Sequence, residues 1–206
     1  MRVGILGGTF NPPHLAHLVC AQEAHAQLGL DRVVLMPAGE PPHKQLAPGD
    51  PSPEARYELC LAAVAGDDRF VVSRAELDRG GRSYTADTLR LLREQRPDDE
   101  LTFIVGGDMA ASLPSWREPE AVLSLATLAV AERVGAKREA IERALAPLAG
   151  AERVEFFAMP RIDVSSSIVR ARVAAGAPIR YLVPDAVAEA IDRAGLYRDE
   201  RGEVTT

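Results

Sequence analysis

The sequence predicts an α/β fold in which helices cover both faces of a doubly wound parallel sheet. Strand-like and helix-like segments alternate along the whole chain, and such alternation implies right-handed β-α-β crossovers. The first apolar segment runs into a glycine turn and then a helix, which is how a strand of such a sheet ends. With 206 residues and 47% hydrophobic content, the chain can bury the core of one ordinary domain.

The predicted elements follow one another with short connections. Short apolar runs predict strands at 2–6, 32–36, 70–73, 101–105, 127–131 and 154–158. Helices are predicted between and after them, at 15–28, 53–65, 86–95, 118–124, 137–147, 166–175 and 185–194. Segment 37–52 is rich in proline and is expected to be a loop of the same domain. We expect one domain over 1–197 and a flexible tail over 198–206.

Composition excludes several classes of protein. The net charge of −6 argues against a general binder of nucleic-acid polymers, which needs a basic face. The first apolar stretch breaks at glycine, too early for a secretory signal or a membrane span. The only two cysteines, Cys20 and Cys60, favour a reducing compartment. We therefore expect a cytoplasmic protein without a membrane partner, and a homo-oligomer is left open.

The first strand leads into a loop suited to phosphate. Gly7 and Gly8 end the strand and allow backbone N–H groups to approach a ligand. Pro12 and Pro13 stiffen the entry to the helix at 15–28, whose N-terminus attracts anions. In open α/β sheets ligands bind at the carboxyl ends of the strands, where this loop lies.

Polar side chains accompany this loop. Thr9 and Asn11 supply hydrogen-bonding groups, and His14 and His17 stand at i and i+3, on one face of the first helical turn. A glycine turn or a pair of surface histidines could each explain part of the pattern. A zinc site is a poor alternative, because no further ligands appear at metal-site spacing.

A second phosphate motif begins the helix at 166–175. Ser165 is a strong N-cap candidate, and Gly176 ends the helix. Ser166 and Arg170 stand at i and i+4, so a hydroxyl and a guanidinium can converge on one polyphosphate. Taken alone, the pattern could also be simple capping beside a solvated arginine.

Both motifs resemble those of the adenylyl- and cytidylyltransferase superfamily. The stretch Gly8 to His17 resembles the signature Gly-x-Phe-(Asp/Asn)-Pro-x-His-x-Gly-His, with Ala16 at the second glycine and Asn11 where many members have aspartate. The run from Ser165 to Arg170 resembles the second motif, Ser-Ser-(Ser/Thr)-x-x-Arg. The resemblance implies a Rossmann-like fold of the nucleotidyltransferase type.

The middle of the chain resembles the bacterial nicotinate mononucleotide adenylyltransferases in order and spacing. The matching segments are Pro41-Pro42-His43-Lys44, Ser83-Tyr84-Thr85, Gly106-Gly107-Asp108 and Trp116. The resemblance implies adenylyl transfer from ATP to nicotinate mononucleotide, giving nicotinate adenine dinucleotide and pyrophosphate in NAD biosynthesis. It implies Mg²⁺ with the ATP, held mainly by phosphates and water, and no protein metal site.

The resemblance also implies site residues. The catalytic residues would be His14, His17 and Arg170. ATP and its phosphates would contact Gly7, Gly8, Thr9, Phe10, Lys44, Asp108, Ser165 and Ser166. The mononucleotide would contact Asn11, Tyr84, Thr85 and Trp116.

Structural roles compete with several of these assignments. Trp116 could fill the core, Thr85 or Asp108 could cap a helix, and Arg56 could be a surface charge. At the level of function, the alternatives are a pantetheine-phosphate adenylyltransferase, a cytidylyltransferase, or a module that senses nucleotides without turnover.

Overall fold

Six parallel strands form the sheet of the computed structural model, which describes residues 1–42, 47, 49–133 and 138–198. The strands are β1 (Arg2–Gly8), β2 (Arg32–Pro37), β3 (Phe70–Val72), β4 (Glu100–Gly106), β5 (Thr127–Arg133) and β6 (Val154–Met159). Their order across the sheet is β3-β2-β1-β4-β5-β6. The predicted α/β fold with a doubly wound parallel sheet is confirmed.

The helices occupy the connections between the strands. They are α1 (Leu15–Leu28), α2 (Pro53–Val64), α3 (Ala75–Arg79), α4 (Thr85–Gln95), α5 (Gly107–Ser112), α6 (Pro119–Leu125), α7 (Arg138–Leu145), α8 (Ser166–Ala174) and α9 (Asp185–Arg193). Helix α3 was not predicted, because five residues are too few to show a helical period. No helix in the described part of the chain is long and apolar enough to cross a membrane.

The strand order reverses beside β1. Ile5 of β1 pairs with Val34 of β2 on one side and with Phe103 of β4 on the other. β2 follows β1 through α1, whereas β4 comes later in the chain, so the connections diverge at this point. The crevice at the carboxyl ends of β1 and β4 is therefore where a doubly wound sheet binds its ligand.

Apolar clusters cover both faces of the sheet, and a further cluster lies between α2 and α9. One cluster includes Ile5 and Leu123, and the other includes Leu35 and Ile104. A third cluster joins α2 to α9 through Leu59, Val187 and their neighbours. Helix α9 thus packs against α2.

Candidate active site

A cavity of about 640 Å³ opens at the carboxyl ends of the strands. Of the residues predicted for the site, those that line it are Gly7, Gly8, Thr9, His14, His17, Tyr84, Thr85, Trp116 and Ser165. Those that are described but do not line it are Phe10, Asn11, Asp108, Ser166 and Arg170. Lys44 lies outside the described residues. One cavity thus joins the first phosphate loop to the segment predicted to hold the mononucleotide.

The two histidines of the first motif form a stacked pair on one wall. Their ring centroids are 3.7 Å apart with an angle of 29° between the rings. Phe10, which is 1% exposed, packs edge-on against His17 with the centroids 5.0 Å apart. The buried aromatic ring therefore fixes the pair from behind.

Both histidines are neutral at pH 7. Burial lowers the pKa of His14 to about 4. Burial, followed by the nearby charge of His14, holds the pKa of His17 well below its usual value. The backbone N–H of His14 donates to Nδ1 of His17 over 3.2 Å. The proton of the neutral His17 ring is thus on Nε2, which can donate to a phosphate oxygen.

The start of α1 supplies fewer backbone donors than expected. The N–H of Leu15 donates to the carbonyl of Leu182 over 2.9 Å, and the N–H of His17 donates to the carbonyl of His14 over 2.9 Å. These two amides are thus engaged within the protein, and the binding of phosphate by this helix N-terminus stays a prediction. Gly7, Gly8, Thr9 and both histidines line the cavity, and their contacts with phosphate stay a prediction.

The second motif lies against the first. The Ser165 side chain accepts from the N–H of Ile168 over 3.2 Å, which confirms its role as an N-cap. The Ser166 hydroxyl donates to the carbonyl of Pro12 over 2.8 Å. Nη1 of Arg170 donates to the carbonyl of Asn11 over 2.7 Å. The structure thus brings both motifs together, while the binding of a polyphosphate by Ser166 and Arg170 stays a prediction.

Arg56 supports the first loop from below. Its side chain is fully buried, so the interpretation as a surface charge is wrong. Nη1 donates to the carbonyl of Thr9 over 2.8 Å, and Nη2 donates to the carbonyl of Gly39 over 3.0 Å. Burial lowers the pKa of the guanidinium. Arg56 therefore ties the loop after β1 to the segment after β2.

Asn11 is buried beside the cavity wall, and its contact with the mononucleotide stays a prediction. It is 1% exposed, and its Oδ1 accepts from the hydroxyl of Tyr197 over 2.8 Å. Its Nδ2 is buried without a hydrogen-bond partner among the described residues. Burial raises the pKa of Tyr197 above its ordinary value. The C-terminal tyrosine, which sequence reasoning did not assign to the site, thus holds the signature loop.

Trp116 both packs in the core and lines the cavity. Its ring meets Phe103 edge-on with the centroids 6.2 Å apart, and its Nε1 donates to the Ser112 hydroxyl over 2.9 Å. The ring is partly buried against the core, and the residue lines the cavity. Packing against the core is therefore confirmed, and stacking of a pyridine ring on Trp116 stays a prediction.

The start of α4 forms the wall next to Trp116. Thr85 is the first residue of the helix, and Tyr84 precedes it without a side-chain cap. First-turn amides have no partner within a helix, so these donors can serve a ligand. The Arg117 guanidinium lies 4.7 Å from the centre of the Tyr84 ring and also lines the cavity. No motif distinguished Arg117 in the sequence.

Two carboxylates differ in their relation to the cavity, because Glu76 lines it and Asp108 does not. Asp108 lies in the first turn of α5, where Gly106 is the N-cap, so the alternative that Asp108 caps this helix is wrong. Its side chain is exposed, and a contact with ribose stays a prediction. Glu76 of α3 lines the cavity although it is 7% exposed, and burial raises its pKa. Sequence reasoning missed Glu76, since a single glutamate on a short helix has no recognisable pattern.

Known proteins match this chain over nearly its full length. The family model described as cytidylyltransferase-like matches residues 5–172. A "probable nicotinate-nucleotide adenylyltransferase" of Rubrobacter xylanophilus is 40% identical over 99% of this chain and 97% of its own length. A protein of Thermus thermophilus with the same name is 45% identical over 96% of this chain and 100% of its own length.

A solved structure shares the fold. The nicotinic acid mononucleotide adenylyltransferase of Plasmodium falciparum, complexed with NaAD, superposes with a TM-score of 0.77 at 18% identity, over 95% of this chain and 97% of that one. The fold and the cavity, together with the family model, define a nucleotidyltransferase. The identity of 40–45% with the two named relatives specifies the family within this class. The chain belongs to the family of nicotinate-nucleotide adenylyltransferases.

Proposed function

We propose that the protein transfers the adenylyl group of ATP to nicotinate mononucleotide. The observation that carries this proposal is one cavity with two different walls. Gly7, Gly8 and the histidine pair line one part of it, and Thr85 and Trp116 line another; we assign the first part to phosphate and the second to the pyridine ring. The names of the relatives support the same substrates.

Adenylyl transfer requires an enzyme to position the two substrates and to neutralise the negative charge of their phosphates. A 5′-phosphate oxygen of the mononucleotide attacks the α-phosphorus of ATP, the bond from that phosphorus to the bridging oxygen breaks, and pyrophosphate leaves with the electron pair. The attacking oxygen is already anionic at pH 7, so no general base is needed. The enzyme must align the two phosphates and stabilise the charge of the transition state.

The histidine pair fits the transferring phosphate. His17 donates from Nε2, because its Nδ1 is engaged by the N–H of His14. A neutral donor in a water-poor wall contributes more in the transition state than it would in water. We assign His14 and His17 to the α-phosphate, and Ser165, Ser166 and Arg170 to the leaving pyrophosphate.

A divalent cation accompanies the ATP, and we propose Mg²⁺. The described residues include no group of three or more His, Cys, Asp or Glu that could hold a metal ion. The described residues therefore suit a cation that would be held by triphosphate oxygens and water, as Mg²⁺ commonly is when it binds with nucleotides. When bound, it neutralises phosphate charge, and the side chains above supply the directed hydrogen bonds.

The decisive experiment is release of pyrophosphate from ATP with one candidate acceptor at a time. We expect release with nicotinate mononucleotide and none with phosphopantetheine or with ATP alone. Release with phosphopantetheine only would support the pantetheine-phosphate alternative. Nucleotide binding without release under any of these conditions would support a sensing module and refute the proposal.

A further inference from the structure

Glu76 belongs to a buried group of polar side chains beside the start of α4, where Thr85 lines the cavity. Its Oε1 accepts from the Thr88 hydroxyl over 2.6 Å. Ser83 neighbours this carboxylate and lowers its pKa, against the larger effect of burial. The exposed fractions of Glu76, Ser83 and Thr88 are 7%, 7% and 2%. A carboxylate that accepts from a threonine hydroxyl is thus held almost entirely out of water.

The network spans the first turn of α4. Ser83 and Thr88 lie on either side of Tyr84 and Thr85, whose backbone starts the helix. Glu76 belongs to α3, so its hydrogen bond with Thr88 ties the first turn of α4 to a neighbouring element. This side chain therefore contributes to the position of Thr85 at the start of α4.

The same network reaches the phosphate loop. The Ser83 hydroxyl accepts from the N–H of Gly39 over 3.0 Å. The carbonyl of Gly39 accepts from Arg56, which also holds the carbonyl of Thr9. A Cβ at Gly39 would lie 2.9 Å from the carbonyl oxygen of Glu76, so only glycine allows this close approach. A continuous series of hydrogen bonds thus connects the two walls of the cavity.

We propose that Glu76 is a positioning residue that sets the start of α4, and with it the pyridine-ring subsite, relative to the phosphate loop. This inference rests on the proposed function, because it specifies how the mononucleotide is held. Glu76 acts through Ser83 and Thr88 and needs no contact with the reacting atoms.

Glu76→Gln is the sharpest test. The amide keeps the shape of the side chain but replaces a charged acceptor by a neutral, weaker one. The hydrogen bond from the buried Thr88 hydroxyl is then weakened, and we expect the start of α4 to shift. We expect the KM for nicotinate mononucleotide to rise by about five- to twentyfold, whereas the KM for ATP stays within about twofold. Quenching of Trp116, the single tryptophan, gives the mononucleotide affinity independently of turnover.

The ratio of acid to amide mononucleotide efficiency separates positioning from charge. A displaced Thr85 end disfavours the carboxylate of the acid, so positioning predicts a lower ratio in Glu76→Gln. If Glu76 instead acted by its negative charge on the ligand, removing that charge would raise the ratio and overturn the proposal. Thr88→Val, which removes a donor and keeps the carboxylate, is expected to reproduce the lower ratio, and the double variant is expected to lose less than the sum.

Asp99→Asn is the matched control. Asp99 is a carboxylate of similar burial, 9% exposed, and it binds the N-terminal amine over 3.0 Å just before β4, at the other end of the sheet. Its replacement is expected to lower stability without changing either KM. If Glu76→Gln and Thr88→Val match this control in both KM values, the proposal fails although the wild type is active. If the wild type releases no pyrophosphate with the mononucleotide, the proposed function itself fails.

Discussion

Replacing Tyr197 by phenylalanine should loosen the loop between β1 and α1, although Tyr197 lies 186 residues from its partner Asn11 in the sequence. The hydroxyl of Tyr197 donates to Oδ1 of Asn11, whose Nδ2 already has no partner among the described residues. The variant leaves the buried amide of Asn11 without that hydrogen bond as well. An unmade buried hydrogen bond costs about 1–3 kcal/mol.

This cost converts into a measurable change in thermal stability. For a domain of this size, about 2 kcal/mol corresponds to a fall of roughly 4–8 °C in Tm. We also expect a several-fold fall in kcat, because Asn11 lies in the turn that leads to His14 and accepts from Arg170. The assays are thermal unfolding by circular dichroism and pyrophosphate release.

Tyr181→Phe is the matched control for this prediction. Tyr181 is 74% exposed, and its replacement should change Tm by less than about 1 °C. If Tyr197→Phe and Tyr181→Phe have the same Tm and kcat, the hydrogen bond to Asn11 does not stabilise the loop and the reasoning is refuted.

Three further predictions concern the phosphate side. His17→Ala should lower kcat by about a hundredfold and leave the Kd for ATP within a few-fold, because its Nε2 donor serves the transition state; equal losses in both, or near-normal turnover, would exclude that role. Arg170→Ala should raise the KM for ATP about tenfold, whereas wild-type kinetics in varied ATP would leave Arg170 with a structural role only. The pKa of His14 is about 4 in the folded protein and about 6.5 in the unfolded chain. Between these pH values the unfolded chain binds more protons, so the free energy of unfolding should fall as the pH falls from about 6.5 to about 4. His14 contributes at most about 3 kcal/mol to this fall. Urea titrations of wild type and His14→Gln check this, and identical pH slopes would contradict it.

The architecture was predictable because its signals are local. Each strand of the sheet is a short apolar run, and the observed bounds lie within two residues of the predicted ones. Ser165 was predictable as a cap because a cap depends on its immediate neighbours. The family was predictable because its two motifs have a fixed internal spacing.

The support beneath the site was not predictable, because it depends on contacts between distant segments. The burial of Arg56 comes from the carbonyls of Thr9 and Gly39, which lie 47 and 17 residues away. Asn11 turns inward because Tyr197 meets it from the other end of the chain. Neither contact leaves a periodic or motif signal in the sequence.

The proposed function requires this cavity to recognise a pyridine mononucleotide through its ring carboxylate. The most direct test is the ratio of kcat/KM for nicotinate mononucleotide to that for its amide, in wild type and in Thr85→Val. One charge-assisted hydrogen bond contributes about 1.5–3 kcal/mol, so we expect the wild type to prefer the acid by about ten- to a hundredfold. A smaller ratio in Thr85→Val would assign part of the preference to the hydroxyl, and an unchanged ratio would assign it to the backbone amides of α4. A wild-type ratio near one would contradict recognition of the ring carboxylate.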